Sequence, residues 1–233
     1  MVMLLRICTT LLILTGFIYP SEAQSSSHPL NEFFDSFRNN QYEHPAGIMG
    51  EYKGSPYEND EFIDGEIYTN QHIHFTGVPL RYNIYQNKME FRNPSGEVFD
   101  IDPPEFADTV LIGESRYIYY SFRSGLKTYK SFFRKLTGQQ PLLLCKLNVI
   151  FRPGELPGGY KDAVPASFDR TVNEYYLAVI PGEAVKIDGK KDILEKLSGH
   201  ARELDQFIKQ NKIKTGKEED LVKLMEYYYT LAK

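Results

Sequence analysis

The segment His72-Ile73-His74 is the pattern in this chain that most suggests metal chemistry. Side chains two residues apart on a β-strand point to the same face, so both imidazoles could reach one metal ion. A third ligand would have to come from another segment, and Glu66 and His44 are the candidates. The simpler interpretation is an exposed strand or turn that carries two histidines. His72 and His74 are therefore weak metal-ligand candidates, and no cofactor is predicted.

Five acidic residues lie close together around Gly65: Glu58, Asp60, Glu61, Asp64 and Glu66. Clustered carboxylates suit calcium, which prefers oxygen ligands. Their spacing follows no calcium-loop motif, however, and Asp64-Gly65 alone is typical of a turn. A calcium site and a solvated acidic turn both remain open.

Motifs of nucleophilic and phosphate chemistry are scarce in the sequence. It contains no Gly-x-Ser-x-Gly elbow and no His-Glu-x-x-His, and Gly158-Gly159 lacks the strand-to-helix context of a phosphate loop. Cys145 lies in an apolar run typical of a buried strand, so we expect a core thiol rather than a catalytic one. We predict no catalytic residue, although paired carboxylates of a hydrolase could still meet in the folded chain.

Aromatic side chains make up 14% of the chain, all of them tyrosine or phenylalanine. Tyr117 and Tyr119 fall on one face of a predicted strand, where an aromatic stripe could bind a sugar or a lipid. Sheets favour tyrosine and phenylalanine for packing alone. Core or cross-strand packing is therefore the simpler interpretation.

The elements that must position these residues are mostly strands. Residues 78–85 alternate apolar and polar side chains, Gln86-Asn87 is turn-like, and residues 88–92 alternate again, which predicts a hairpin. Further strands are predicted at 115–122, 129–136, 142–151 and 175–180. Turn signals every 8 to 12 residues indicate an α+β fold with a curved antiparallel β-meander of eight or more strands.

Helical patterns lie at the two ends of the mature chain. Leu30–Phe37 has apolar residues at helical spacing, and after Gly189 apolar stripes predict three helices that pack on or close the sheet. Thr215 and Glu218 fit a capping box at the start of the last helix. Residues 152–170, rich in proline and glycine, are predicted to form a surface loop.

The predicted organisation is one domain behind a leader. Residues 1–23 are a signal peptide, 24–60 a tether and irregular segment with a possible short helix, 61–187 the antiparallel β region, and 188–233 the helical region. The 42% hydrophobic and 25% charged content suits a globular chain. A net charge of −4 argues against nucleic-acid binding, which needs a concentrated basic face.

The first residues have the features of a cleavable secretory signal. Arg6 precedes 13 uncharged residues, and small residues before the Ala23–Gln24 bond suit signal peptidase. The uncharged stretch is shorter than the roughly 20 apolar residues of a membrane span. We therefore expect a periplasmic or secreted protein that is not integral to the membrane once the signal is removed. Loss of Cys8 leaves Cys145 without an internal disulfide partner.

Three parts of the sequence carry a resemblance to a known group of proteins. They are Pro79–Tyr85 with Met89-Glu90-Phe91, Phe132–Leu136 followed by Leu142-Leu143-Leu144, and the tail from Tyr175 to Tyr229. In their order and spacing the chain resembles uncharacterised exported proteins of Bacteroides-type Gram-negative bacteria. That group has no assigned activity, so the resemblance implies a compartment and no site residue.

These observations leave three functional hypotheses. The first is a non-enzymatic binding or interaction protein whose partner is an unknown protein of the cell envelope. The second is a carrier that holds an apolar ligand such as a lipid in the curved sheet. The third is an envelope hydrolase, whose catalytic groups would converge in a polar cleft.

Overall fold

The computed structural model describes residues 30–37, 52–157 and 162–232. It contains four α-helices and thirteen strands, which confirms the predicted α+β fold with a curved sheet and C-terminal helices. The signal peptide, its predicted cleavage site at Ala23 and Gln24, and His44 lie outside the described residues.

The strands occupy most of the middle of the chain. Their bounds are β1 Tyr52–Gly54, β2 Ile63–Thr69, β3 His74–Asn83, β4 Lys88–Arg92, β5 Val98–Asp100, β6 Ala107–Ile112, β7 Ser115–Ser124, β8 Lys127–Lys135, β9 Leu142–Lys146, β10 Val149–Arg152, β11 Ala166–Arg170, β12 Glu174–Ile180 and β13 Glu183–Ile187. The helices are α1 Leu30–Phe37, α2 Lys190–Lys196, α3 Ala201–Asn211 and α4 Glu218–Leu231.

Ten strands form one sheet in the order β13-β12-β9-β8-β7-β6-β2-β3-β4-β5. Neighbours in this order are antiparallel, and β3 and β4 form the predicted hairpin, with Leu80 opposite Phe91 and Tyr82 opposite Met89. The sheet also curls back on itself, because β13 pairs in parallel with β7 at Ala184–Phe122 and Val185–Arg123. Strands β7, β8, β9, β12 and β13 therefore close a ring of five strands, which we call the strand ring.

Side-chain alternation gives the strand ring two apolar faces. The inner face is filled by eight buried residues, one or two from each ring strand: Ile118, Phe122, Phe133, Leu142, Leu144, Tyr176, Ala178 and Ala184. The outer face belongs to the main core, where Leu143 and Leu177 pack with α2, α3 and α4 residues such as Leu224. Helix α1 joins the same core through Phe33, which contacts Phe91 at a ring-centroid distance of 4.8 Å.

The C-terminal helices form where the apolar stripes predict them, but one predicted cap is wrong. Helix α4 begins at Glu218 with Lys217 as its N-cap, so Thr215 lies too far ahead to cap it. Asp220 instead accepts a hydrogen bond from the backbone N–H of Lys214 at 2.8 Å. Three acidic residues in the first turn of α4 also interact favourably with the positive end of the helix dipole.

The region from residue 142 to 170 differs most from the sequence prediction. The single strand expected at 142–151 is broken at Leu147-Asn148 into β9 and β10, which belong to different sheets. β10 leaves the large sheet and pairs with β11, and β11 pairs in parallel with β1. Thus β1 and β11 occupy segments that were predicted to be irregular or looped. Their strand character comes from these long-range pairings.

A separate observation concerns membranes. Within the described ranges, none of the helices combines the length and the apolarity that spanning a membrane requires.

Candidate functional site

The two candidate metal ligands do not lie on one strand. His74 opens β3, whereas His72 lies in the preceding turn with a positive φ of 62°. The shared strand face that the metal hypothesis needs is therefore not formed, because the strand begins after His72, and the simpler interpretation had allowed for a turn. Of the two nominated third ligands, Glu66 does contact His74, at 2.9 Å between Oε2 and Nε2.

This His74–Glu66 pair is completed by a tyrosine. The Tyr68 hydroxyl donates a hydrogen bond to Glu66 at 2.9 Å, and its ring stacks on His74 at a centroid distance of 4.1 Å. These hydrogen bonds, the one from His74 first, hold the pKa of Glu66 below its ordinary value. Within residues 30–37, 52–157 and 162–232 no group of three or more histidine, cysteine or acidic side chains could hold a metal ion.

The acidic residues around Gly65 separate into different contacts rather than a calcium loop. Glu58 accepts a hydrogen bond from the Tyr117 hydroxyl, Asp60 from the Ser55 hydroxyl, and Glu66 from Tyr68. The alternation of β2 and the irregular chain before it send these carboxylates in different directions.

Cys145 lies at the edge of a partly buried charge cluster. The thiol is fully buried, and burial raises its pKa to about 12, although nearby Arg134 acts in the opposite direction. Arg134 pairs with Glu218 of α4 at 2.6 Å and lies 3.7 Å from Glu58. Burial also raises the pKa of Glu58. A protonated, inaccessible thiol has no nucleophilic role, and the cluster joins β8 to α4 and to the segment before β2.

A polar pocket of about 490 Å³ opens at one end of the strand ring, and we call it the mouth pocket. The filled inner face ends here, because the next inward positions on three ring strands are polar. These are Lys146 on β9, Glu174 on β12 and Lys186 on β13. The aromatic wall consists of Phe122 and Tyr129, whose ring centroids are 5.8 Å apart.

The two lysines of the mouth pocket differ in their ion pairs. Lys186 contacts Glu174 at 2.7 Å and Asp188 at 3.3 Å. Burial opposes ionisation of Glu174, but the hydrogen bond from Lys186 and the positive charges of Lys186 and Lys146 together outweigh it and lower the pKa of this carboxyl. Lys146 contacts no carboxylate of the described chain within salt-bridge distance, and its ammonium lies 5.2 Å from the centre of the Phe122 ring. Glu174, which lies opposite Lys146 in the β9–β12 register, is held by Lys186, so the Lys146 ammonium is in no close ion pair and can contact an incoming ligand.

A second hollow of about 290 Å³ continues from the mouth pocket, and we call it the edge groove. It shares Phe122, Tyr129 and Lys146 with the mouth pocket. One wall is formed by residues 129–131 of β8, and the other is the chain at 146–149, where β9 ends and β10 begins. The β3–β4 turn, with the half-exposed Tyr85, covers its end.

The edge groove exists because β8 and β9 pair for only a short distance. Their register includes only Arg134–Cys145 and Lys135–Leu144. Beyond Lys146 the chain diverges toward the three-stranded sheet, so among the described residues no strand neighbours the first half of β8 on that side. Sequence reasoning missed this site, since it depends on the break at Leu147-Asn148, for which polar Asn148 in an apolar run was the available signal.

Two further sequence features lie on strands β7 and β8 of the ring. Tyr117 is fully buried, and Tyr119 packs against the main core, so packing explains this stripe. Ser124 and Lys127 have the Ser-x-x-Lys spacing of some acyl-transferring enzymes, and sequence reasoning overlooked them. They face each other across the β7–β8 turn, both exposed, with no hydrogen bond between their side chains.

The fold is thus an α+β arrangement of a strand ring, an extended sheet arm and a small accessory sheet. Comparisons of this chain with protein-family models, with curated proteins and with solved structures find no match. Its function is therefore inferred from the geometry of the site.

Proposed function

We propose that this protein is an exported, soluble, non-enzymatic binding protein of the cell envelope, and that the mouth pocket and edge groove form its binding site. The observation that carries the proposal is the contrast between the interior of the strand ring and its mouth. The ring interior is filled by buried apolar side chains, whereas its mouth is open, aromatic and carries the Lys146 ammonium, which makes no salt bridge with a carboxylate of the described residues. Such convergence of aromatic and polar groups in a concave surface favours ligand binding.

The proposed compartment rests on the sequence. The charge pattern before Ala23 supports export through a cleavable signal, and the resemblance to exported proteins of Bacteroides-type bacteria supports the same destination.

Binding is favoured over catalysis by the state of the ionisable groups. The carboxylates of the mouth pocket, Glu174 and Asp188, are both engaged by Lys186. The Cys145 thiol is buried with a raised pKa. An envelope hydrolase would need a free acid or base directed into the cleft. That third hypothesis stays a prediction with less support.

The carrier hypothesis is the second candidate, and a different surface favours it. An apolar hollow of about 380 Å³ lies beside Leu177, Val179 and Ile180 of β12, and 68% of the Ile180 surface is exposed. Native mass spectrometry of residues 24–233, purified from the periplasm of the host, tests it directly. A bound mass that disappears on denaturation would support a carrier, and a bare protein would count against it.

Site-specific photocrosslinking tests the binding site itself. We would place p-benzoylphenylalanine at Tyr85, on the rim of the edge groove, and at exposed Glu203 of α3, which lines neither hollow. Irradiation in the host envelope should give an adduct at position 85 and none at 203. Lys146→Glu in the same background should abolish it. Equal labelling at both positions, or an adduct indifferent to Lys146→Glu, would refute the assigned site.

A further inference from the structure

The backbone edge of β8 offers unpaired hydrogen-bonding groups to the edge groove. Phe132 directs its N–H away from β7, toward Asn87 Oδ1 at 3.1 Å. Alternate residues of a strand direct their backbone groups to the same side. The backbone N–H and C=O groups of Lys130 and Thr128 therefore also point away from β7. Further along this edge, Arg134 pairs with Cys145, and Leu136 donates to Leu143 at 2.9 Å.

Phe132 is the last residue along this edge of β8 whose outward backbone N–H has a hydrogen-bond partner in the described chain. In the described part of the chain, no strand and no side chain pairs with the outward backbone groups of Lys130 and Thr128. Continuing the β8–β9 register would place Val149 opposite Lys130, but Val149 pairs with Arg170 of β11 instead. The edge groove therefore lies where a further antiparallel neighbour of β8 would run.

Charge defines the chemistry of what fits there. In an antiparallel pair, directly opposed side chains share a face. A residue opposite Tyr129 would thus point toward the mouth pocket, where Lys146 makes no salt bridge within the described part of the chain. The side chain of Lys130 is held on the other face by Glu105 at 2.9 Å. The turn at Asn87 closes one end of the groove, so only a short segment can enter.

We propose that the edge groove binds an extended segment of a partner protein as an added antiparallel strand along Thr128–Lys130, with an acidic residue opposite Tyr129 that pairs with Lys146. Backbone pairing supplies the sequence-independent part of the affinity, and the carboxylate–ammonium pair supplies selectivity. This inference rests on the proposed binding function and adds the mode of recognition to it.

A displayed library of random seven-residue peptides is the probe, selected on residues 24–233. Enriched peptides should lack proline at their centre and share one aspartate or glutamate there. Lys146→Gln should weaken the best peptide about fivefold, as for a partly exposed ion pair. No enrichment over an unrelated protein, or peptides without a shared acidic position, would overturn the proposal.

Proline substitution tests the backbone contact separately. Proline is tolerated on a strand edge where the lost N–H faces outward, as it does at Lys130. Lys130→Pro should abolish peptide binding at an unchanged melting temperature, whereas the matched control Lys130→Ala should retain it. Equal binding by both variants would refute strand addition. Should Lys130→Pro not fold, loss of amide exchange at Thr128 and Lys130 on peptide addition replaces it, and undiminished exchange would overturn the proposal.

The two proposals fail in different ways. A photo-adduct at position 85 without peptide pairing would remove only the strand-addition mechanism. Peptide pairing without that adduct would leave the recognition mode intact and refute the envelope partner.

Discussion

Asn87 accepts a hydrogen bond from the backbone N–H of Phe132, and this contact joins the turn of the β3–β4 hairpin to the edge of the strand ring. The same Oδ1 atom also accepts from the Ser131 hydroxyl at 2.9 Å and from the Tyr82 hydroxyl at 3.1 Å. Asn87 has a φ of 56°, a left-handed conformation that asparagine tolerates better than most residues. One side chain therefore both forms the turn and ends the edge groove.

Asn87→Ala should lower the free energy of unfolding by about 2 kcal/mol, because three donors lose their acceptor and alanine is strained at positive φ. Urea unfolding measures the effect. Asn87→Gly relieves only the strain and should cost less, and Asn87→Asp keeps the acceptor and should cost least. If alanine and aspartate are equivalent, the hydrogen bonds contribute nothing.

Cys145 should be unreactive in the folded protein. Its thiol is buried, and burial raises its pKa to about 12, so almost no thiolate is present near neutral pH. In the chain that begins at Gln24, a disulfide reagent at pH 8 should label it only after denaturation. Cys145→Ala should cost about 1 kcal/mol, as for other small core truncations. Stoichiometric labelling of the native protein would contradict this prediction.

Glu58 should make the folded protein less stable as pH rises, which is the less common direction for a carboxyl group. Burial raises its pKa, so the folded state binds its proton more tightly than the unfolded chain. Its contribution to stability is complete below its ordinary pKa of 4.5 and is lost as pH rises through the folded pKa.

Glu58→Gln resembles the protonated form and should escape that loss. The variant should therefore gain stability relative to the wild type as pH rises from 4 to 8. Denaturant unfolding at both values measures the difference, with exposed Glu226→Gln as control. A difference that is constant with pH would show that Arg134 and Arg170 cancel the effect of burial.

Helix α4 should contribute strongly to stability through its buried stripe. Leu224 is completely buried in the main core, so Leu224→Ala should cost about 2–5 kcal/mol. Exposed Glu226→Ala, on the same helix, should change the free energy by less than about 0.5 kcal/mol. Deletion of 216–233 should abolish the cooperative melting transition, and an unchanged transition would show that the helices do not support the sheet.

Local patterns were sufficient for the elements whose side chains alternate or recur within a few residues. The β3–β4 hairpin, helix α1 and the three C-terminal helices form where apolar periodicity predicts them, because burial of one face selects the period. The burial of Cys145 followed from its apolar neighbours in the same way.

Pairings between distant segments were not predictable, and the candidate site depends on them. Ring closure at Ala184–Phe122 joins residues more than sixty positions apart, and β1 meets β11 across more than a hundred. The sequence also left open whether His72 and His74 share a strand or lie in a turn, and the strand starts only at His74. Side-chain periodicity shows which face of a strand is buried, but it does not show which other segment pairs with that strand.

The α+β class, the positions of most strands and helices, and the buried thiol could be read from the amino-acid pattern, since they follow from side-chain periodicity along the chain. The folded chain alone shows where β9 leaves β8, that a ring closes, and that Lys146 and Tyr129 meet at its mouth. Hydrogen bonds between strands are made by the backbone, which is the same at every residue. Their partners are therefore selected by packing of the whole chain.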